Sequence, residues 1–185
     1  MGTPRATRYA HRRESGLTFA AGITWTRTAT SGDTLALTFG RILHQQEDAG
    51  FTASSGLAGG KSDWLLAGSL DLASGLGLSA RTLLDADLSF GKTEARLHWS
   101  TDRLVLSAAY VFLPADSAEG RAADVSEWTV ATDWTINDTW AIRASGRYDL
   151  ANDAPARAGF GVAWSNECVT VDLSVSRRYT ETETA

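Results

Sequence analysis

From Leu17 the chain alternates. Leu17-Thr18-Phe19-Ala20-Ala21-Gly22-Ile23-Thr24-Trp25-Thr26 sets apolar or small residues at odd positions and mostly small or polar ones at even positions. Successive side chains on a β-strand point to opposite faces, so this segment has one face suited to an apolar medium and one suited to water. The pattern recurs with almost no helical periodicity between repeats. It predicts strands over 17–28, 34–43, 63–72, 76–84, 88–99, 103–113, 125–135, 139–150, 156–165 and 168–178. Turn-forming residues separate them: Ser31-Gly32-Asp33, Ala73-Ser74-Gly75, Asp85-Ala86-Asp87, Ser100-Thr101-Asp102, Asn137-Asp138 and Asn166-Glu167. The three prolines, Pro4, Pro114 and Pro155, fall in the predicted tail or loops, as strands paired on both sides require.

The faces of these strands sort consistently. Lys92, Glu94, Arg96 and His98 oppose Gly91, Thr93, Ala95, Leu97 and Trp99 in the fifth strand. Glu127, Thr129, Ala131 and Asp133 oppose Trp128, Val130, Thr132 and Trp134 in the seventh, and Arg143, Ser145, Arg147 and Asp149 oppose Trp140, Ile142, Ala144, Gly146 and Tyr148 in the eighth. Aromatic residues cluster near strand ends on the apolar face, where their amphipathic rings suit a bilayer boundary. The links after the second and sixth predicted strands, about 44–62 and 114–124, are long, and most others are tight. The short link after the fourth departs from strict alternation. Long links of one parity, strands of roughly 10 residues and two-sided patterning are the features of an up-and-down transmembrane β-barrel. The fold class expected is therefore all-β: an antiparallel up-and-down transmembrane β-barrel segment of about ten strands, an incomplete barrel. A soluble all-β protein with its polar faces outside remains the alternative from periodicity alone.

Composition narrows this further. A net charge of −5 argues against a general nucleic-acid binder, which is normally basic. Mean hydropathy is slightly negative, and no stretch approaches the ~18 apolar residues of a membrane helix. That does not exclude a barrel, whose lumen-facing residues offset its lipid-facing ones. Seven Trp and 17 Gly beside only two Lys, Lys61 and Lys92, suit interfacial belts and glycine-bearing strands. Segment 1–16 is polar, holds four Arg and has no apolar core, so it is not a secretory signal. An exported protein would then begin further upstream, or the chain is an excerpt. The expected organisation is a disordered or partial segment at 1–16, a barrel portion at 17–180 and a truncated tail at 181–185.

Candidate chemistry is sparse. Arg81, Arg96, Arg143, Arg147 and Arg157 fall on predicted lumen faces, where guanidinium forks bind phosphate well. The competing reading is a ladder in which they pair across strands with Glu94, Glu127, Asp133 and Asp149. His98 with Ser100 and Glu94 invites a lipid-hydrolase reading. A separation of about 7 Å between the backbones of His98 and Ser100, and the lack of a nucleophile motif, favour a lumen polar ladder instead. His11, His44 and His98 are isolated, and no spacing fits a metal site. Asp85 and Asp87 are explained by turn chemistry as well as by a divalent ion. Gly59-Gly60-Lys61-Ser62 lacks the spacing and the helix of a phosphate loop. The single Cys168 excludes an internal disulfide.

Two segments carry a more specific signal. One is Gly40-Arg41-Ile42-Leu43, Phe51-Thr52-Ala53-Ser54-Ser55-Gly56-Leu57 and Ser62-Asp63-Trp64-Leu65. The other is Gly146-Arg147-Tyr148-Asp149, the run from Ala158 through Trp164-Ser165-Asn166-Glu167-Cys168 to Val171, and Ser176-Arg177-Arg178-Tyr179. Together they resemble, over roughly 35–180, the C-terminal barrel region of the LptD lipopolysaccharide-assembly family, alphaproteobacterial type. The resemblance implies an outer-membrane translocon that transports lipopolysaccharide and inserts it into the outer leaflet, with no enzyme activity and no cofactor. It implies lipopolysaccharide, an LptE-like plug lipoprotein and a periplasmic lipopolysaccharide-bridge protein, reached through an N-terminal jellyroll, as partners. Cys168 stands where members carry a cysteine bridged to the periplasmic domain, so the resemblance implies a disulfide to a residue outside this chain. Relatives often carry adjacent cysteines there, whereas this chain has Glu167-Cys168. The jellyroll, the signal peptide, the early strands and the closing strands of the pattern are absent from this sequence. A small self-contained porin-like or adhesion barrel and, less well supported, an outer-membrane lipid hydrolase are the competing functions.

Overall fold

Ten strands follow one another in sequence and in space. The computed structural model describes residues 18–44, 55–57, 61–85, 87 and 89–179. Its strands are β1 Thr18–Thr28, β2 Thr34–His44, β3 Trp64–Asp71, β4 Leu76–Leu84, β5 Phe90–Ser100, β6 Leu104–Leu113, β7 Val125–Thr135, β8 Trp140–Asp149, β9 Ala154–Ser165 and β10 Thr170–Arg178. Each pairs antiparallel with the next, giving one sheet in the order β1 to β10. β1 and β10 are not paired with each other, so the sheet is open and fits an incomplete barrel. All ten strands expected from the alternation are present, with bounds within two residues. The segment 1–16, the tail 181–185, His11, Phe51–Ser54, Gly59 and Gly60 lie outside the described residues.

Turn chemistry decides where strands stop. In the β1–β2 turn the Ser31 hydroxyl donates to Asp33 at 2.6 Å, and the other Asp33 carboxylate oxygen accepts the Ala73 N–H at 2.8 Å, joining two neighbouring turns. The first bond above all, with the second, holds Asp33 below the usual carboxylate pKa range. Gly75 in the β3–β4 turn has φ +83°, and a side chain there would strike the Ser100 carbonyl oxygen. That oxygen's own residue donates its N–H to the Gly75 carbonyl at 3.0 Å. Asn137 accepts the N–H groups of Thr139 and Trp140, and Asn166 accepts those of Cys168 and Val169, so two turns repeat one device. Asp85 caps its own turn through the N–H groups of Asp87 and Ser89, at 2.9 Å each.

Connections differ by end. Those at 29–33, 72–75, 101–103, 136–139 and 166–169 are all short and emerge at one end of the sheet. The long connections, 45–63 and 114–124, emerge at the other, beside the short links 85–89 and 150–153. A short 3-10 turn, Ser117–Glu119, lies within the second long connection. In the first, Ser62 is buried and extends the β2 edge: its N–H donates to the Ile42 carbonyl and its hydroxyl accepts the Ile42 N–H, both at 2.8 Å. Burial, with the charge of Asp85 adding to it, pushes the neighbouring Asp63 carboxyl above its ordinary pKa, against the pull of Arg41.

Two expectations need correction. Pro155 lies inside β9 opposite Tyr148, not in a loop. The register shifts between Arg147 and Tyr148, and a proline without an N–H is tolerated beside such an irregularity near a strand start. Cys168 does not begin a strand but sits exposed in the 166–169 turn, because the Asn166 side chain captures its N–H.

Candidate functional site: a sheet with one apolar and one charged face

Register carries the alternation of each strand across the whole sheet. Phe39, Leu66, Leu70, Leu78, Leu97, Leu106, Val130, Ile142, Val162 and Leu173 fall on one face through successive pairings. That face is bare. Among the described residues no apolar side chain is buried, and Ile23, Leu173 and Val175 are exposed at 69%, 70% and 68%. Monomeric soluble proteins do not leave a continuous surface of this size in water, so the apolar face needs an apolar medium. The soluble alternative also requires a second packed layer, and the described residues form a single sheet.

Aromatic residues frame this face. β7 carries Trp128 and Trp134 toward its two ends, and β8 carries Trp140 and Tyr148. Trp140 stands opposite Trp164, and Tyr110 lies 5.1 Å from Trp128. At the long-loop end Phe39 stacks on Trp64 at 4.7 Å, and the Arg41 guanidinium lies over the same indole at 4.7 Å. Eight residues separate Trp140 from Tyr148, about 26 Å along the strand at ~3.3 Å per residue. Tilted as barrel strands are, that spans most of a ~25 Å apolar band.

The opposite face carries the charges, arranged as short ladders. Glu94 on β5 accepts Arg81 of β4, directly across, at 2.8 Å and lies 3.4 Å from Arg96 on its own strand. Arg147 on β8 donates to Glu127 on β7. Arg143 on β8 bonds Asp133 on β7 at 3.4 Å and Asp172 on β10 at 2.7 Å. To reach β10 it passes over β9 at Gly161, the residue opposite it, which has no side chain to block the way. Exposed pairs of this kind contribute ~0–1 kcal/mol each, so their main effect is to fix side-chain positions.

Four of the five arginines singled out from sequence, Arg81, Arg96, Arg143 and Arg147, are thus paired with carboxylates. Arg157 lies on the same face, opposite Arg147 on one side and Arg178 on the other. Of the carboxylates expected in the ladder, Glu94, Glu127 and Asp133 take part. Asp149 instead caps the turn after β8, accepting the N–H groups of Ala151 and Asn152 and the Asn152 amide. It ends its strand, so the turn donors lie nearer than any guanidinium. Sequence reasoning missed Asp172 and Arg178, which join the face only once β10 is in register.

His98 lies on this face between Gly77 and Ser107. Among the described residues it makes no hydrogen bond to Ser100 or Glu94, and no three His, Cys, Asp or Glu side chains converge as metal ligands would. Cys168 takes no part in the charged ladders and lies exposed in the 166–169 turn.

Comparison with curated proteins finds no match. The family model for LptD, described as LPS transport system D, matches residues 4–125, about two thirds of the chain. The match takes in the first resembling segment, around 40–65, and ends before the second, around 146–179. With a match of that extent over the first six strands of a sheet built for an apolar medium, the chain belongs to the LptD family of lipopolysaccharide transport proteins.

Proposed function

We propose that this chain forms the membrane-spanning wall, over 17–180, of an outer-membrane translocon that inserts lipopolysaccharide into the outer leaflet. The observation that carries the reading is the division of one ten-stranded sheet into a bare apolar face and a charged face, in a chain of a lipopolysaccharide transport family. The apolar face meets lipid, and the charged face lines an aqueous path in which Arg81, Arg96, Arg143, Arg147 and Arg157 contact the polar part of the cargo. Short turns face the periplasm and long loops face outward, as in outer-membrane barrels generally. An LptE-like lipoprotein and a periplasmic bridge protein are the partners proposed with this role.

In this orientation Cys168 lies on the periplasmic side. We assign it a disulfide with a cysteine outside this chain; an exposed thiol in an oxidising periplasm is suited to that. Cys168→Ser should abolish a mobility difference between reduced and unreduced samples on denaturing gels. An unchanged difference would remove Cys168 from the pairing.

The transport reading is tested by depleting the protein in its native cell and labelling surface lipopolysaccharide. Loss of surface label, with lipopolysaccharide retained in inner fractions, is the expected outcome. Unchanged surface label would sink the reading. A self-contained porin requires β1 to pair with β10, a pairing absent from the sheet, and a hydrolase requires a bond between His98 and a nucleophile; no observation favours either.

A further inference from the structure

Three arginines stand side by side on the charged face at its long-loop end. Arg157 of β9 is directly opposite Arg147 of β8 and directly opposite Arg178 of β10. Like charges facing each other across strands destabilise a sheet. Elsewhere on this face each arginine is matched by a carboxylate, and here Glu127 draws the Arg147 guanidinium toward β7, away from Arg157. Asp133 and Asp172, which line the same groove as Arg157, both bond Arg143. Arg157 and Arg178 therefore have no ion-pair partner among the described residues.

The surroundings of the row are equally specific. Two residues along each strand toward the short-turn end, Ser145, Gly159 and Ser176 lie in register beneath Arg147, Arg157 and Arg178. Arg157, Ser145, Gly159 and Ser176 line one open groove of about 380 Å³. Gly159 keeps its floor low: a Cβ there would lie 2.8 Å from the Ser145 hydroxyl oxygen and fill the space between the two serines. Planar guanidinium forks above serine hydroxyls, with the groove's carboxylates Asp133 and Asp172 engaged by Arg143, form a donor-rich bed that matches a tetrahedral oxyanion.

We propose that Arg157 and Arg178, with Ser145 and Ser176 beneath them, bind a phosphate group. This deepens the transport reading and rests on it only for the molecule that carries the phosphate, which is either the glycolipid or free inorganic phosphate.

The test uses the full protein in detergent micelles, with purified lipopolysaccharide, the same material chemically dephosphorylated, and inorganic phosphate as probes. The wild type should bind the phosphorylated glycolipid roughly tenfold or more tightly than the dephosphorylated form, as charge-assisted hydrogen bonds of this number allow. The double variant Arg157→Gln/Arg178→Gln should lose that preference, while Arg103→Gln, in a turn at the opposite end, should keep it. Competition by inorganic phosphate would show that the site takes the free ion as well; lack of competition would assign it to the glycolipid headgroup. A preference that survives the double variant, or no preference in the wild type, overturns the proposal. Phosphate binding lost in the double variant, with neither glycolipid bound, would support the site and sink the transport reading instead. Should the glutamine pair fail to fold, Arg157→Lys/Arg178→Lys keeps the charge and removes the fork. Several-fold weaker binding is then expected, and wild-type affinity would overturn bidentate recognition.

Discussion

A single missing side chain lets Arg143 serve three strands. A Cβ at Gly161 would meet Ser174 and Leu173 at ordinary contact distance, near 3.4 Å, so Gly161→Ala should be accommodated, whereas Gly161→Leu should part Arg143 from Asp172. Both partners of that bond are about half exposed, so its loss should cost less than ~1 kcal/mol in denaturant unfolding from detergent micelles. Gly75 is the sharper case. Its left-handed backbone and the adjacent Ser100 carbonyl exclude any side chain, and Gly75→Ala should cost about 1–3 kcal/mol in the same experiment. Asp33 adds a pH dependence. Its folded pKa is depressed, so its contribution is present above roughly pH 4, the unfolded value, and is lost as pH falls through the lower folded value. Its carboxyl resonance should titrate below that of Asp33 in the unfolded chain, and coincident titration would mean that the Ser31 and Ala73 bonds are absent in solution. The ladder was legible from sequence as a set of candidates and not as a set of pairs. Alternation places Arg143 and Asp133 on one face, but the reach to Asp172 depends on the register of three strands and on a glycine between them.

At the level of the strand, alternation sets which substitutions are tolerated. Val130 and Ala131 are neighbours in β7 and face opposite media. Val130→Lys puts a charge at the middle of β7 on the apolar face, between Trp128 and Trp134, and should cost ~2–4 kcal/mol, while Ala131→Lys should be nearly neutral. Folding yield into lipid vesicles checks the contrast, and equal yields would mean that this face does not meet lipid. Strand positions were readable to within two residues because period-two patterning and turn residues are both local signals. Pro155 and Cys168 were misplaced because each depends on something beyond its own segment. A register shift against β8 admits the proline, and side-chain capture by Asn166 holds Cys168 in the turn rather than in β10.

For the whole molecule, the absence of buried apolar residues among those described means that the stabilising medium lies outside the chain. The chain should remain dispersed with a β-type circular dichroism spectrum in detergent or lipid and sediment as aggregate in water. A sedimentation profile showing a soluble monomer without detergent would contradict the assignment of the apolar face. The unpaired outer edges of β1 and β10 add to that tendency, because free backbone donors and acceptors recruit further strands. The architecture was legible from sequence because, among the described residues, every strand pairs only with its predecessor and successor. That arrangement also bears on inheritance. A duplication or deletion that takes one hairpin, two strands with the turn between them, leaves every remaining strand running in its original direction and every remaining loop on its original side. A change of one strand would reverse everything downstream, so lineages of such a wall are expected to lengthen and shorten by twos.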